Sequence, residues 1–209
     1  MLEVLTPATN TRLTLLGTLK SELGISDTSQ DALLSALIDQ ASGAIMDYCG
    51  RPFAKETYKE TVPGYGSNRL LLSRTPIVSV ASVVADSEVI VDYSVENPEA
   101  GILYRKVGWR WTPPLGWNVT YYPMPGQEEL LFAVTYTAGY VLPGDTGTRT
   151  LPQAVERACI ELVKAWFLGR DRDPALTGQR IGDLQVSYDP AQAWPPIVER
   201  LLAPYRRVV

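Results

Sequence analysis

The chain has 209 residues, 45% of them hydrophobic, which is typical of a globular protein with one full domain or one domain carrying a sizeable insertion. No apolar run approaches the ~20 residues that cross a bilayer, and the first ten residues lack the order of a secretory signal, so we expect a soluble intracellular product. The formal net charge is −4 and the basic residues are dispersed, which disfavours tight nucleic-acid binding but permits loose passage of DNA.

Histidine is absent and there are two cysteines, which narrows the possible chemistry. The commonest general base, the usual partner of a serine or cysteine nucleophile and most transition-metal sites all need histidine. A structural zinc site normally needs four Cys or His ligands, so none can be assembled. Cys49 and Cys159 fall on apolar faces of predicted helices, where we expect buried free thiols. The sequence therefore predicts no metal and no cofactor.

Two helices are predicted near the N-terminus. The apolar residues of the first helix are spaced three or four apart: Leu13, Leu16, Leu19 and Leu23. We expect its N-cap among residues 9–11 and its end at Gly24, as a left-handed C-terminal residue. The second and longer helix is predicted from Thr28 to Cys49, where Gly50 ends it.

From Phe53 to about Tyr140, β-branched and aromatic residues alternate with polar ones, and glycine and proline supply turns. The predicted strands are Thr57–Val62, Leu70–Leu72, Val78–Ala85, Val89–Val91, Ile102–Tyr104 and Leu131–Tyr136. Because no helical pattern separates these strands to make parallel crossovers, we expect an antiparallel sheet or a small sandwich.

The last part of the chain returns to helical spacing. An amphipathic helix is predicted after Leu151-Pro152, followed by a charged loop at Gly169–Arg180 and a short strand at Ile181–Tyr188. A final helix is predicted from Pro196 to about Ala203, where Pro204 ends it. Isolated helices below ~12–15 residues are marginal in water, so this one needs to dock on the chain's own body or on a partner.

The order of elements predicts an α+β fold with two parts. The N- and C-terminal segments, residues 1–52 and 150–209, are expected to form a helical body. Residues 53–149 are expected to form an antiparallel β block inserted between them.

Motifs that carry catalysis are weak or missing. There is no Gly-x-x-x-x-Gly-Lys-[Ser/Thr] phosphate loop, and the glycines of Gly64-Tyr65-Gly66 lie between strands as a turn. Two carboxylate pairs, Asp171 with Asp173 and Glu128 with Glu129, could in principle hydrolyse glycosides without histidine. Both pairs lie where solvated charges normally lie, so a hydrolase is ranked last and no enzyme is predicted.

An aromatic cluster, Trp109, Trp111 and Trp117, is more informative. Such rings can stack on sugars or bases, cap a hydrophobic core, or form a protein interface. Weak alternation and proline-stiffened loops favour the core or interface interpretation. The alternative function that remains open is a carbohydrate-binding or other β-module of a tail or baseplate.

Several stretches carry a resemblance when they are taken in order. They are Tyr48–Phe53 at the end of the long helix, Leu70–Leu72 leading into Thr75–Val80, Val134–Tyr140, the Pro-led helix start at Leu151–Val155, and the segment around Ile181–Leu184 and Ser187-Tyr188. Together they resemble the head–tail connector (adaptor or head-completion) protein family of long-tailed phages and related gene-transfer particles. Compact members of that family are mainly helical, so the long β block is a departure.

The resemblance implies a non-enzymatic structural subunit of a virion, assembled in the bacterial host cytoplasm and located at the head–tail interface. Identical copies, expected to number twelve, would form a ring beneath the portal protein and above a stopper or tail-terminator protein. The helical parts would form the wall of a channel through which genomic DNA passes without sequence-specific binding, and the ring would be the platform for tail attachment. No membrane partner is expected.

The predicted partner interface combines the aromatic cluster with the C-terminal segment. Its candidate residues are Trp109, Trp111, Trp117, Ile197, Leu201, Tyr205, Arg206 and Arg207. A short helix followed by Arg206 and Arg207 suits a segment that orders on a portal, while a solvated basic tail is the other interpretation of the two arginines.

Overall fold

The computed structural model describes residues 1–85, 87–110, 131–170, 178–181, 184–187 and 194–207. The chain divides into two compact units, each built from two separate stretches. The β unit comprises Met1–Thr9 and Ala54–Tyr140, and the helical unit comprises Asn10–Phe53 and Val141–Val209. The predicted α+β class with antiparallel sheets is confirmed.

The described residues of the β unit form two antiparallel sheets. Its strands are β1 (Leu2–Thr6), β2 (Glu56–Pro63), β3 (Arg69–Leu71), β4 (Ile77–Ala85), β5 (Glu88–Val89), β6 (Ser94–Asn97), β7 (Ile102–Tyr104) and β8 (Leu131–Ala138). One sheet has the order β1-β2-β8-β4-β5 and the other has the order β3-β7-β6. The last strand along the chain, β8, is therefore the central strand of the larger sheet.

The alternation of β2 and β8 determines which face of the larger sheet is buried. In their register Tyr58 is paired with Tyr136 and Val62 with Phe132, and all four side chains are buried. The intervening residues are more exposed, as a period of two requires. The buried side chains form one core: Tyr58, Val62, Leu70, Leu72, Ile77, Val83, Ala85, Leu103, Trp109, Phe132, Val134, Tyr136 and Ala138.

The helical unit is built on two long helices. Its elements are α1 (Leu16–Leu23), α2 (Asp31–Cys49), α3 (Gln153–Gly169), β9 (Gly178–Ile181), β10 (Leu184–Ser187), α4 (Pro196–Leu202) and a 3₁₀ turn (Ala203–Tyr205). Helix α3 packs against α2 and α4. The apolar stripe of α2 supplies Leu34, Ile38, Ala41 and Ile45 to the core, and that of α3 supplies Val155, Cys159, Leu162 and Val163. No helix within the described ranges is both long and apolar enough to span a bilayer.

Both N-terminal helices end where the sequence predicted. Gly24 and Gly50 adopt left-handed conformations with φ of 69° and 63°, which residues with a Cβ adopt only with strain. The Gly24 N–H donates to the Ser21 carbonyl at 3.4 Å and the Ile25 N–H to the Lys20 carbonyl at 3.0 Å. These bonds satisfy carbonyls that the end of a helix leaves without partners.

The predicted start of the first helix is wrong. Helix α1 begins at Leu16, and Leu13 is buried ahead of it with its N–H donating to the Ser42 hydroxyl at 3.1 Å. Asn10 does not cap a helix, because its Oδ1 accepts the Arg12 N–H at 3.0 Å in a local turn. Capping residues also serve turns, and the local sequence does not distinguish the two uses.

The assignment of residues 1–52 to the helical body needs correction at its start. Met1–Thr9 belongs to the β unit, because β1 pairs with β2 along the edge of the larger sheet. Four of its five residues are exposed, so β1 lacks the alternation that identifies a half-buried strand. Backbone pairing holds it instead. Strand β6 also lacks this alternation: it is exposed throughout and was not predicted.

The single strand predicted at Ile181–Tyr188 is also wrong. The structure has two antiparallel strands, in which Ile181 pairs with Leu184 and Gly178 with Ser187. Strand β9 begins at Gly178, within the range Gly169–Arg180 that was predicted as a charged loop, and residues 171–177 lie outside the described part of the chain. Alternation alone does not reveal whether such a run forms one strand or two. Tyr188 lies outside the described residues.

Candidate partner-binding surfaces

Trp109 lies in the core of the β unit. Its side chain is fully buried, and its ring meets Phe132 edge-on with centroids 5.2 Å apart. The guanidinium of Arg105 lies 5.8 Å from the ring centroid. Of the alternatives that the sequence left open, this position fits the core, and it removes Trp109 as an exposed platform for sugars. Trp111 and Trp117 lie outside the described residues.

The short helix α4 docks on the chain's own helical unit. Val198 and Leu202 are fully buried, while Ile197 is 49% exposed. Leu201 and Tyr205 are half-buried. The helix therefore turns one side inward and presents Ile197 on its outer side, where a partner can reach it.

Arg206 and Arg207 follow α4 and are held against the end of α2. The Arg207 N–H donates to the Cys49 carbonyl at 2.9 Å, which satisfies a carbonyl at the end of that helix. The Arg206 guanidinium lies 5.4 Å from the centroid of the Tyr48 ring, within the range of a cation–π contact. Both arginine side chains are exposed. The segment is therefore anchored through its backbone and offers its charges to solvent.

Tyr48 and Trp194 extend this surface, which we call the C-terminal basic patch and define as Tyr48, Arg51, Trp194, Arg206 and Arg207. The rings of Tyr48 and Trp194 have centroids 4.9 Å apart. The guanidinium of Arg51 lies 5.5 Å from the Phe53 ring. Sequence reasoning found the two C-terminal arginines but not their three neighbours, because it had no evidence that the end of α2 and the end of the chain meet.

The two cysteines are buried and free. Burial raises the pKa of the Cys49 thiol to about 11, although Arg51 and Arg206 act in the opposite direction. Burial also raises the pKa of the Cys159 thiol, whose Sγ lies 3.8 Å from the Ser42 hydroxyl. A nucleophilic cysteine needs the thiolate, so both thiols are structural.

Glu60 is a buried carboxylate in the β unit. It accepts the Tyr136 hydroxyl at 2.6 Å and the Ser73 N–H at 2.9 Å, and the Ser73 hydroxyl donates to its other oxygen. The Arg74 N–H in turn donates to the Tyr136 hydroxyl at 3.1 Å. These bonds fasten the segment after β3 to the larger sheet, which gives Glu60 a structural role.

Glu156, in α3, plays a comparable part in the helical unit. One of its oxygens accepts the hydroxyl of the buried Thr14 at 3.2 Å, and the other lies 2.5 Å from an Arg149 nitrogen. Within the described ranges, no group of three or more His, Cys, Asp or Glu side chains is placed to hold a metal ion.

The fold is shared with proteins from the necks of gene transfer agents (GTAs). The chain is similar to a solved chain from the neck of an empty GTA particle computed with C6 symmetry, at 14% identity and a TM-score of 0.59. It is also similar to chains from the neck of a native GTA particle computed with C12 symmetry and from the virion of the native particle, each at 15% identity and a TM-score of 0.58. In all three cases the match covers 100% of this chain and 96% of the other.

The likeness to these chains shows a shared α+β fold. The model of the head completion protein (HCP) family matches residues 13–208. Since the match spans nearly the whole chain, the protein belongs to the head completion protein family, as its resemblance predicted. No curated protein sequence matches the chain significantly.

Proposed function

We propose that the chain is a structural subunit of a ring that joins the head and tail of a tailed phage or a related gene-transfer particle. The family match over residues 13–208 carries this proposal, because it includes segments of both units. The C6 and C12 symmetries of the similar necks support a ring of identical copies, for which we propose twelve. The virion is the corresponding location.

A structural role fits the chemistry of the described side chains. The two buried carboxylates, Glu60 and Glu156, are engaged by hydrogen bonds and an ion pair that hold neighbouring segments in place. Both cysteines are held as thiols by burial. These groups stabilise the fold and are not presented to a substrate.

The C-terminal basic patch is the surface that we propose to face the portal protein. It combines exposed guanidinium groups with the aromatic rings of Tyr48 and Trp194, a composition that is enriched where proteins bind each other. Ile197 adds an exposed aliphatic side chain on the outer side of α4. On the opposite end of the ring we propose a stopper or tail-terminator protein, with genomic DNA passing through the lumen.

The test is assembly with the portal protein of the same particle. Wild-type protein mixed with portal should give rings seated on the portal in negative-stain images. The double variant Arg206→Glu/Arg207→Glu should bind the portal at least about tenfold more weakly, because an acidic portal surface that attracts the two arginines would repel carboxylates at the same positions. Lys106→Glu, an exposed charge change in the β unit, is the matched control and should bind as wild type. A wild-type protein that neither binds portal nor forms rings when concentrated contradicts the proposal.

A further inference from the structure

The β unit has an apolar groove at one edge of its larger sheet. The groove has a volume of about 410 Å³. It is lined by Val80–Ser82 of β4, by Val89–Val91 in and after β5, and by Tyr93–Val95 leading into β6. Val89 and Val91 are 65% and 82% exposed, so aliphatic surface is left in contact with water.

The opposite edge of the same sheet is also apolar. Strand β1 has only β2 as a neighbour, so the backbone groups along its outer edge have no strand partner among the described residues. Val4 and Leu5 are 46% and 47% exposed on this strand. We call these two residues the β1 ridge. Sheet edges in native proteins are usually protected by charges or proline, and β1 carries only Glu3.

The groove is better suited to packing against a partner's side chains than to the addition of a partner strand. The register of β4 with β8 shifts between Ile77 and Ser79 and again between Val80 and Ser82. Such irregularities turn a strand edge away from regular pairing. The valine side chains around the groove remain available, and β4 contains no charged residue in its nine positions.

We propose that the β1 ridge of one copy packs into the groove of the next copy in the ring. This inference rests on the proposed ring function. A closed ring needs a heterologous contact, in which two different surfaces of each subunit meet. The strand order places β1 and β5 at opposite edges, roughly 19 Å apart across four strand spacings, so the two surfaces lie on opposite flanks of the β unit. The groove is concave, the β1 ridge exposes two side chains, and both surfaces are aliphatic.

Cysteine cross-linking of the full chain, assembled on its portal, tests the contact. The double variant Leu5→Cys/Val91→Cys carries one thiol on each flank, so mild oxidation should link neighbours into a ladder of covalent oligomers. Each single variant should give no covalent oligomers, because one flank alone cannot meet its own copy, and mixing the two single variants should give covalent dimers. The native Cys49 and Cys159 are buried and should contribute no background.

Charge insertion is the second arm. Val91→Asp should reduce ring formation at least about tenfold, since an unpaired charge would be buried in an apolar contact. Leu71→Asp is the matched control, because Leu71 is 63% exposed on the smaller sheet outside the groove. Both changes are at exposed positions, and circular dichroism should show an intact fold.

The outcomes separate the two proposals. If Val91→Asp forms rings as well as the wild type does, and the double cysteine variant gives no ladder, the proposed contact is wrong while the proposed ring function is unaffected. Binding of a different virion protein to the groove in place of a neighbouring copy also overturns it. If the wild type forms no rings with portal, the proposed function fails and this contact fails with it.

Discussion

Glu60 and Tyr136 form a buried polar contact in the β unit. Tyr136 is fully buried, and its hydroxyl donates to Glu60 while accepting the Arg74 N–H. A hydrogen bond to a charged group contributes about 1.5–3 kcal/mol, more than a neutral one. Burial and the neighbouring Glu60 carboxylate both raise the pKa of the Tyr136 hydroxyl.

We expect Tyr136→Phe to lower the free energy of unfolding at pH 7 by about 1–3 kcal/mol, because it leaves Glu60 and the Arg74 N–H each without one partner. The deficit should shrink above about pH 10, the ordinary pKa of tyrosine. In the wild type the folded-state pKa is raised, so the unfolded chain ionises first and stability falls as pH rises. Urea unfolding of both proteins between pH 7 and 10.5 measures the difference.

Other groups that titrate at high pH, including both cysteines, are present in both proteins and therefore cancel in this difference. Tyr65→Phe is the control, because Tyr65 is 66% exposed and its loss should change stability by less than about 0.5 kcal/mol. A deficit for Tyr136→Phe that stays constant up to pH 10.5 would show that the Tyr136 hydroxyl does not carry the expected linkage.

At the scale of residues, the sequence predicted chemistry better than it predicted contacts. Composition shows directly that histidine is absent, and helical spacing predicted the burial of Cys49 and Cys159 that the structure shows. The position of Trp109 did not, because a tryptophan near others suits a core and an interface equally until the fold is known. The contact between Tyr48 and Arg206 joins residues far apart in sequence, and no local pattern indicates it.

Among the elements, α4 depends most on its surroundings. It has seven residues, fewer than an isolated helix needs, and two of them, Val198 and Leu202, are fully buried. The backbone bond from Arg207 to Cys49 lies only a few residues further on. The packing of α4 therefore also determines whether the C-terminal basic patch forms.

We expect Leu202→Ala to destabilise the protein by about 2–5 kcal/mol, the cost of removing a buried leucine side chain. Backbone amides of residues 194–207 should exchange with solvent faster in this variant. Chemical denaturation and hydrogen exchange measure the two effects. Ile197→Ala is the matched control, since Ile197 is half-exposed on the same helix and should cost less than about 1 kcal/mol. Equal effects of the two substitutions would contradict the observed orientation of α4.

Helix ends and central strands were predicted well because their signals are local. Glycine at positions 24 and 50 ends a helix through its own backbone freedom, and β7 was predicted at Ile102–Tyr104, the range that the structure shows. Helix starts and edge strands were predicted less well. Strands β1 and β6 are exposed and have no buried face to leave a pattern in the sequence.

At the scale of the whole molecule, the net charge determines how strongly the protein is expected to bind DNA. The net charge is −4, and the C-terminal basic patch contains only three arginines. Since each phosphate contact contributes to affinity through released counterions, a few basic residues on a net-acidic chain should bind duplex DNA weakly. A channel wall that does not hold DNA suits the proposed function, because the genome must pass through it.

We expect the dissociation constant for a fluorescent, random-sequence DNA duplex to be larger than about 0.1 mM at physiological salt. This value is the weak end of ordinary non-specific binding. Fluorescence anisotropy over a salt series measures this, with a basic non-specific DNA-binding protein as the positive control. A dissociation constant in the micromolar range at physiological salt would contradict a channel wall that binds DNA only weakly. Weaker binding after Arg206→Glu/Arg207→Glu would then identify the patch as the DNA contact.

The strand order of the larger sheet has a consequence for synthesis on the ribosome. Strand β8 lies between β2 and β4, yet it is the last strand of this sheet to be synthesised. It begins at Leu131, 46 residues after β4 ends at Ala85. At bacterial translation rates of about 5–20 residues per second, this interval lasts several seconds. Until β8 emerges, the pairs β1–β2 and β4–β5 lack the strand that joins them, so the nascent chain displays two β-forming segments, each with one unpaired edge. Chaperones that shield such segments are therefore expected to act on this protein before its central strand has left the exit tunnel.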